Sequence, residues 1–157
     1  MSLAASKVKI VKRNMSEPEI YFAFVYFDTP RRRRTLSTIQ SFLDNYWHLV
    51  DKYVPEIAKL DKKKVAVMIA PPRRKNPAFA SFAKFKPKHE KDFLWIELGD
   101  AIKTFPDFDE IGLIFAVGGT LIHELLHNFY EDEATVESKL DKFERALADE
   151  LKLRRKH

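Results

Sequence analysis

The stretch TLIHELLHNFYEDEATVE, residues 120–137, carries two histidines, several carboxylates and an apolar stripe, and the reading of the whole chain turns on it. His123 and His127 are four apart, so on a helix they are offset by only about 40° and rise by ~6 Å, which lets both imidazoles reach one ion. Glu124 follows the first histidine, close enough to address a water on that ion. Two histidines alone do not hold a hydrolytic ion; a third ligand and an open position are needed. Glu133 lies beyond both histidines, and on one unbroken helix it would sit ~15 Å along the axis from His123. The chain therefore turns between Asn128 and Asp132. Glu131 and Asp132 then cap a terminal helix, and Glu133 falls near the start of its buried face. A buried carboxylate wants a partner, which the ion supplies. Glu137, Glu131 and Asp132 stay open as alternative ligands, against the plain reading of acids favoured at a helix start by the macrodipole.

Working outward, DEATVESKLDKFERALADELKLRR spaces Val136, Leu140, Phe143, Leu147 and Leu151 as one face of the terminal helix. Upstream, Asp107–Phe129 reads as the long apolar helix that bears the histidines, with Asp107 or Asp109 as its cap. Gly118 and Gly119 weaken that helix, so their expected use is close packing against a neighbouring element. Before it come strands at Lys63–Ala70, Ala78–Lys86 and Asp92–Leu98. A first long helix spans Thr35–Asp61, with Ile39, Leu43, Trp47, Val50 and Val54 at helical spacing and Pro55 marking a kink or an early end. Strands at Lys7–Arg13 and Glu19–Asp28 open the chain, and DTPRRRR breaks the second of them. The order predicts a single domain over residues 1–157 of α/β (α+β) class. It consists of a small twisted mixed sheet, a long first helix, a motif-bearing helix and a C-terminal helix.

Composition narrows the chemistry. The 157 residues suit one core, and with no cysteine the chain has no disulfide, thiolate ligand or cysteine nucleophile. Any metal is held by His, Asp or Glu. No apolar run reaches the length of a membrane span and the N-terminal residues lack the apolar centre of a signal peptide, so a cytoplasmic protein without membrane partners is expected. The charged fraction of 32% and the lone glutamine, Gln40, lean towards a heat-adapted source. The net charge is +5, concentrated in Arg31–Arg34, Lys62–Lys64, Arg73–Lys75 and Lys152–Lys156. Such clusters suit a phosphate backbone, although solvated loop and terminal charges are the plainer reading. His48 reads as a surface or structural residue on the first helix, His89 as part of a solvated turn, and His157 as terminal.

TLIHELLHNF resembles the extended HExxH signature of the zincin metallopeptidases, and the order of strand, helix, strands and motif helix is similar to their core. The resemblance implies hydrolysis of a polypeptide by a water that one zinc ion activates, with Glu124 as general base and then acid. It also implies that the strand before the motif helix is a substrate-aligning edge, which assigns Phe93 and Trp95 to the peptide. DEATVE resembles the gluzincin arrangement, in which Glu133 is the third ligand beside His123 and His127, and Glu137 supports a ligating histidine. Metzincin-like spacing also reaches Glu133, with Tyr130 where a glycine usually makes the turn. Two further families stay in view. YbeY-type endoribonucleases share the His-x3-His-x5 spacing and act on RNA, but usually have Gly and His where this chain has Glu124 and Glu133. SprT-like proteases combine HExxH with nucleic-acid affinity, which the basic patches would serve. A third class is a zincin-like module that binds zinc without catalysis.

Overall fold

The computed structural model describes residues 8–15, 20–27, 29–59, 64–69, 80–83, 93–98 and 107–155. Five strands, β1 (Val8–Met15), β2 (Ile20–Phe27), β3 (Lys64–Ile69), β4 (Ala80–Ala83) and β5 (Phe93–Leu98), form one mixed sheet in the order β1-β2-β3-β5-β4. β2, β3 and β5 run parallel, while β1 and β4 flank them antiparallel. Alternation within each strand puts every second side chain on one face, and the register aligns those positions across strands. Phe24, Val67 and Ile96 share one row, and Tyr26, Ile69 and Leu98 the next. All six are buried, so this face is the floor of the core.

Parallel neighbours need a crossover, and α1 (Pro30–Tyr53) supplies it between β2 and β3. The helix begins earlier than its apolar spacing predicts. Thr29 accepts a hydrogen bond from the Arg32 N–H at 3.3 Å, and Pro30 has its ring at the first helical position, where no N–H is missed. Arg31–Arg34 thus belong to the first turns of a helix and not to a loop. The end is also earlier than Asp61. Proline disfavours helical backbone in the residue before it, and Val54 leaves the helix at φ −133°, ψ 57° ahead of Pro55. A short 3-10 turn, Pro55–Lys59, follows, pinned by Ile57, which is 1% exposed.

The remaining helices are α2 (Glu110–Leu126) and α3 (Glu133–Arg155). Asp109 caps α2, its carboxylate accepting from the Gly112 N–H at 2.8 Å. The spaced residues of α1 (Ile39, Leu43, Trp47, Val50) and α3 (Val136, Leu140, Phe143, Leu147, Leu151) are all buried and join the sheet floor in one core. α2 lies among them. A Cβ built on Gly118 would come within 2.5 Å of the Phe42 ring, so the glycine lets α1 pack directly on the α2 backbone. Phe42 in turn meets Phe143 of α3 edge-on at 6.1 Å.

One expectation about the sheet is corrected. β5, with Phe93 and Trp95, is not an edge: it pairs with β3 on one side and β4 on the other. β4 is the outer strand beside it, and α2 packs against β4. The resemblance implies an edge for the strand just before the motif helix, whereas here the strand preceding that one, β4, pairs antiparallel on its outer side. Among the described residues, no helix is long and apolar enough to cross a membrane. His89, His157 and the cluster Arg73–Lys75 fall outside the described residues.

Candidate metal centre

α2 ends at Leu126, and the chain reverses at once. The N–H groups of Phe129 and Tyr130 both fold back to the Leu126 carbonyl, at 2.9 and 3.1 Å. Asp132 then starts α3 by accepting hydrogen bonds from the Thr135 N–H, at 2.9 Å, and from the Thr135 hydroxyl. These two bonds, the hydroxyl first, hold the Asp132 carboxyl below the ordinary aspartate range. A lowered carboxylate pKa means that the cap is at full strength at neutral pH and is lost as pH falls through that lowered value. The cap matters because Glu133 is the first residue of α3.

The tight reversal brings three side chains together. Nε2 of His123 and Nε2 of His127 lie 3.2 Å apart, and the Glu133 carboxylate reaches them with one oxygen each, at 2.5 and 3.0 Å. Among the described residues this is the one group of His and acid side chains whose donor atoms converge, all lying within 4.8 Å of one another. Ligands at ~2.0–2.2 Å from a tetrahedral ion stand roughly 3.3 Å apart. Two of the three separations are already close to that, and a small rotation of Glu133, whose side chain is 55% exposed, opens the third. The residues present therefore fit a metal ion.

The ring of His127 is oriented to ligate through Nε2. Its Nδ1 lies 3.2 Å from the Tyr130 carbonyl oxygen. A carbonyl only accepts, so Nδ1 carries the proton and the Nε2 lone pair is turned towards His123 and Glu133. Glu124 is half-buried on the same helix, adjacent to His123 in sequence. A groove of about 430 Å³ runs from His123 between the two helices. Its α2 wall includes Phe115, Gly119 and Thr120, and its α3 wall Glu137, Leu140, Asp141 and Glu144. Burial raises the pKa of Glu144, and the neighbouring His123 only partly offsets this. Asp141 is paired to Arg145 at 3.1 Å.

Compared with protein-family models, curated proteins and solved structures, the chain finds no match in any of the three. The centre stands on its own geometry.

The structure brings together His123, His127 and Glu133, and Glu124 follows His123 on α2. Glu133, the first residue of α3, is exposed rather than buried. Glu137 lies one turn further on, exposed, in the wall of the groove that His123 also lines, and the Tyr130 carbonyl meets Nδ1 of His127. The Tyr130 hydroxyl is engaged elsewhere, donating to Glu56 at 2.8 Å. Neither role is legible in the sequence. A backbone acceptor leaves no trace in residue type, and Glu56 is 74 positions from Tyr130. His48 is a surface residue paired with Glu150 at 2.9 Å, in keeping with its place on α1.

Removing the cap tests how far the ligand set depends on the start of α3. Asp132→Ala frays the first turn, so any metal binding by the group, measured by competition with a chelator at pH 7, is expected to weaken several-fold. Asp132→Ser, which can still cap, should recover most of that loss.

Proposed function

We propose that the chain is a zinc-dependent metallopeptidase built on a zincin-like fold with a twisted sheet, and that it hydrolyses peptide bonds. The observation that carries this reading is the convergence of His123, His127 and Glu133 beside an HExxH glutamate, with the His127 tautomer held by the Tyr130 carbonyl. Zinc, which favours imidazole and carboxylate donors, would polarise the scissile carbonyl and acidify a water at this site.

The chain's own residues supply the rest. His123 and His127 present Nε2, and Glu133 presents its carboxylate from the following helix, the order of the gluzincin arrangement. The Glu124 carboxylate accepts the proton of the attacking water and passes it to the amide nitrogen as the carbon–nitrogen bond breaks, leaving a carboxylic acid and an amine. β4 is the edge strand nearest α2, and an extended polypeptide pairing with its outer main-chain groups would run beside the centre.

A second partner is supported by one specific feature. Arg31–Arg34 lie on the first turns of α1, whose first turn carries no acidic residue and where the macrodipole adds positive potential, while Glu110 of α2 stands 3.7 Å from Arg34. Nucleic acid is the partner that suits them, which would make this a nucleic-acid-associated protease. Proteolysis is then expected to rise on adding DNA or RNA and to lose that rise when Arg31–Arg34 are neutralised. The endoribonuclease reading predicts RNA cleavage lost in His123→Ala with peptides untouched, and a non-catalytic zinc module predicts zinc binding with neither activity.

The direct test is metal content of untagged protein after mild chelation and zinc readdition. One zinc per chain is expected in the wild type, and its loss in both His123→Ala and Glu133→Ala. Retention of zinc in Glu133→Ala, with loss in Glu137→Ala, would move the third ligand to α3's second turn. Failure of the wild type to take up zinc would end the peptidase reading.

A further inference from the structure

We infer that Glu56 and Tyr130 form an anchor that sets the affinity of the centre for zinc by positioning His127 from outside the ligand set. The inference rests on the metal-centre reading and adds to it two residues that touch neither the ion nor a substrate.

The anchor is built from three contacts in series. Pro55 ends α1 and forces the 3-10 turn, and Ile57, 1% exposed, holds that turn in the core. Glu56 is therefore carried on a fixed point, with its side chain only 18% exposed. Its carboxylate accepts the Tyr130 hydroxyl at 2.8 Å, and Lys139 of α3 stands over the Tyr130 ring at 5.7 Å and 3.9 Å from the same carboxylate. The Tyr130 carbonyl accepts from Nδ1 of His127 at 3.2 Å.

The turn after α2 needs such a hold. Residues 127–131 form the turn between two helices, and the Tyr130 carbonyl meets the His127 ring at Nδ1, the nitrogen that does not face His123 and Glu133. A loop carbonyl can fix a tautomer only if the loop itself is fixed. Tyr130 does this at both ends of one residue: the side chain ties the loop to the 3-10 turn, and the backbone ties the histidine to the loop. Lost support of this kind typically weakens metal binding by about 10–100-fold.

The test uses the full chain and zinc alone. Tyr130→Phe keeps the ring among its apolar neighbours and removes only the hydroxyl. Zinc affinity, from competition with a chromophoric chelator, is expected to fall about tenfold. Glu56→Ala should fall as far, the double variant no further than either, and Glu56→Gln, which retains an acceptor for the hydroxyl, should recover most of the affinity. In the zinc-loaded protein the Nδ1 proton of His127 should exchange with solvent faster in Tyr130→Phe than in the wild type, a change that general loosening of the fold elsewhere would not produce. Tight zinc binding by the wild type with affinity within twofold in Tyr130→Phe would overturn the anchor while leaving the centre intact. Additive losses in the double variant would overturn it too, since they would mean that Glu56 and Tyr130 act separately. No zinc binding by the wild type would remove the centre and the anchor with it.

Discussion

Glu124→Gln is expected to lower the turnover of a cleaved peptide by roughly 10²–10⁴-fold while zinc content and the thermal midpoint stay at wild-type values. The glutamine keeps the shape of the side chain and cannot take a proton from water at neutral pH, so the change isolates the proton transfer. Glu124 sits on α2 next to His123, whose position is held by the same helix and by the core beneath it, so the amide variant should leave the ligand set undisturbed. The measurement is steady-state hydrolysis of a fluorogenic peptide pool, with metal analysis on the same preparations. A variant as active as the wild type would show that the hydrolytic proton is handled elsewhere. Unchanged zinc content in that case would leave a metal centre without the assigned general base.

Phe42→Ala is expected to cost about 3–5 kcal/mol of stability, the usual penalty for emptying the volume of a buried phenylalanine. Phe42 is fully buried, touches Gly118 on α2 and meets Phe143 on α3, so the cavity would open where all three helices come together. The reverse change is informative as well. Gly118→Ala gains helix propensity worth up to ~1 kcal/mol but drives a methyl group to within 2.5 Å of the Phe42 ring, and overpacking costs about 1–3 kcal/mol. The net effect is a loss. Combining Gly118→Ala with Phe42→Leu should cost less than the sum of the single changes, because the smaller side chain makes room for the methyl. Chemical denaturation of the zinc-free protein measures all four. Additive losses would mean that the two residues do not share this contact.

Much of the core is legible in the sequence. The stripe Val136, Leu140, Phe143, Leu147 and Leu151 is buried throughout, as is the α1 stripe from Ile39 to Val50, since a helical period leaves one apolar face with nowhere to go but inward. The close-packing role of Gly118 is also readable, because a glycine inside an apolar helix has few other uses. The spacing of His123 and His127, and the need for a reversal before Glu133, follow from helix geometry alone.

Boundaries and neighbours are another matter. Arg31–Arg34 read as loop charges because no apolar residue marks that turn, yet Thr29 and Pro30 start the helix ahead of them. β5 reads as an edge only by resemblance, and the sheet places it inside, because strand order depends on pairing between distant segments, which the pattern within one strand does not encode. Residue type and spacing therefore determined which side chains could share an ion. Only the tertiary structure decided that Glu133 meets them from an exposed first turn, and that a carbonyl of Tyr130, tied to Glu56, orients His127. The physical reason is the range of each interaction: a helical period acts over a few residues, whereas backbone acceptors and contacts across 74 positions exist only once the chain has closed on itself.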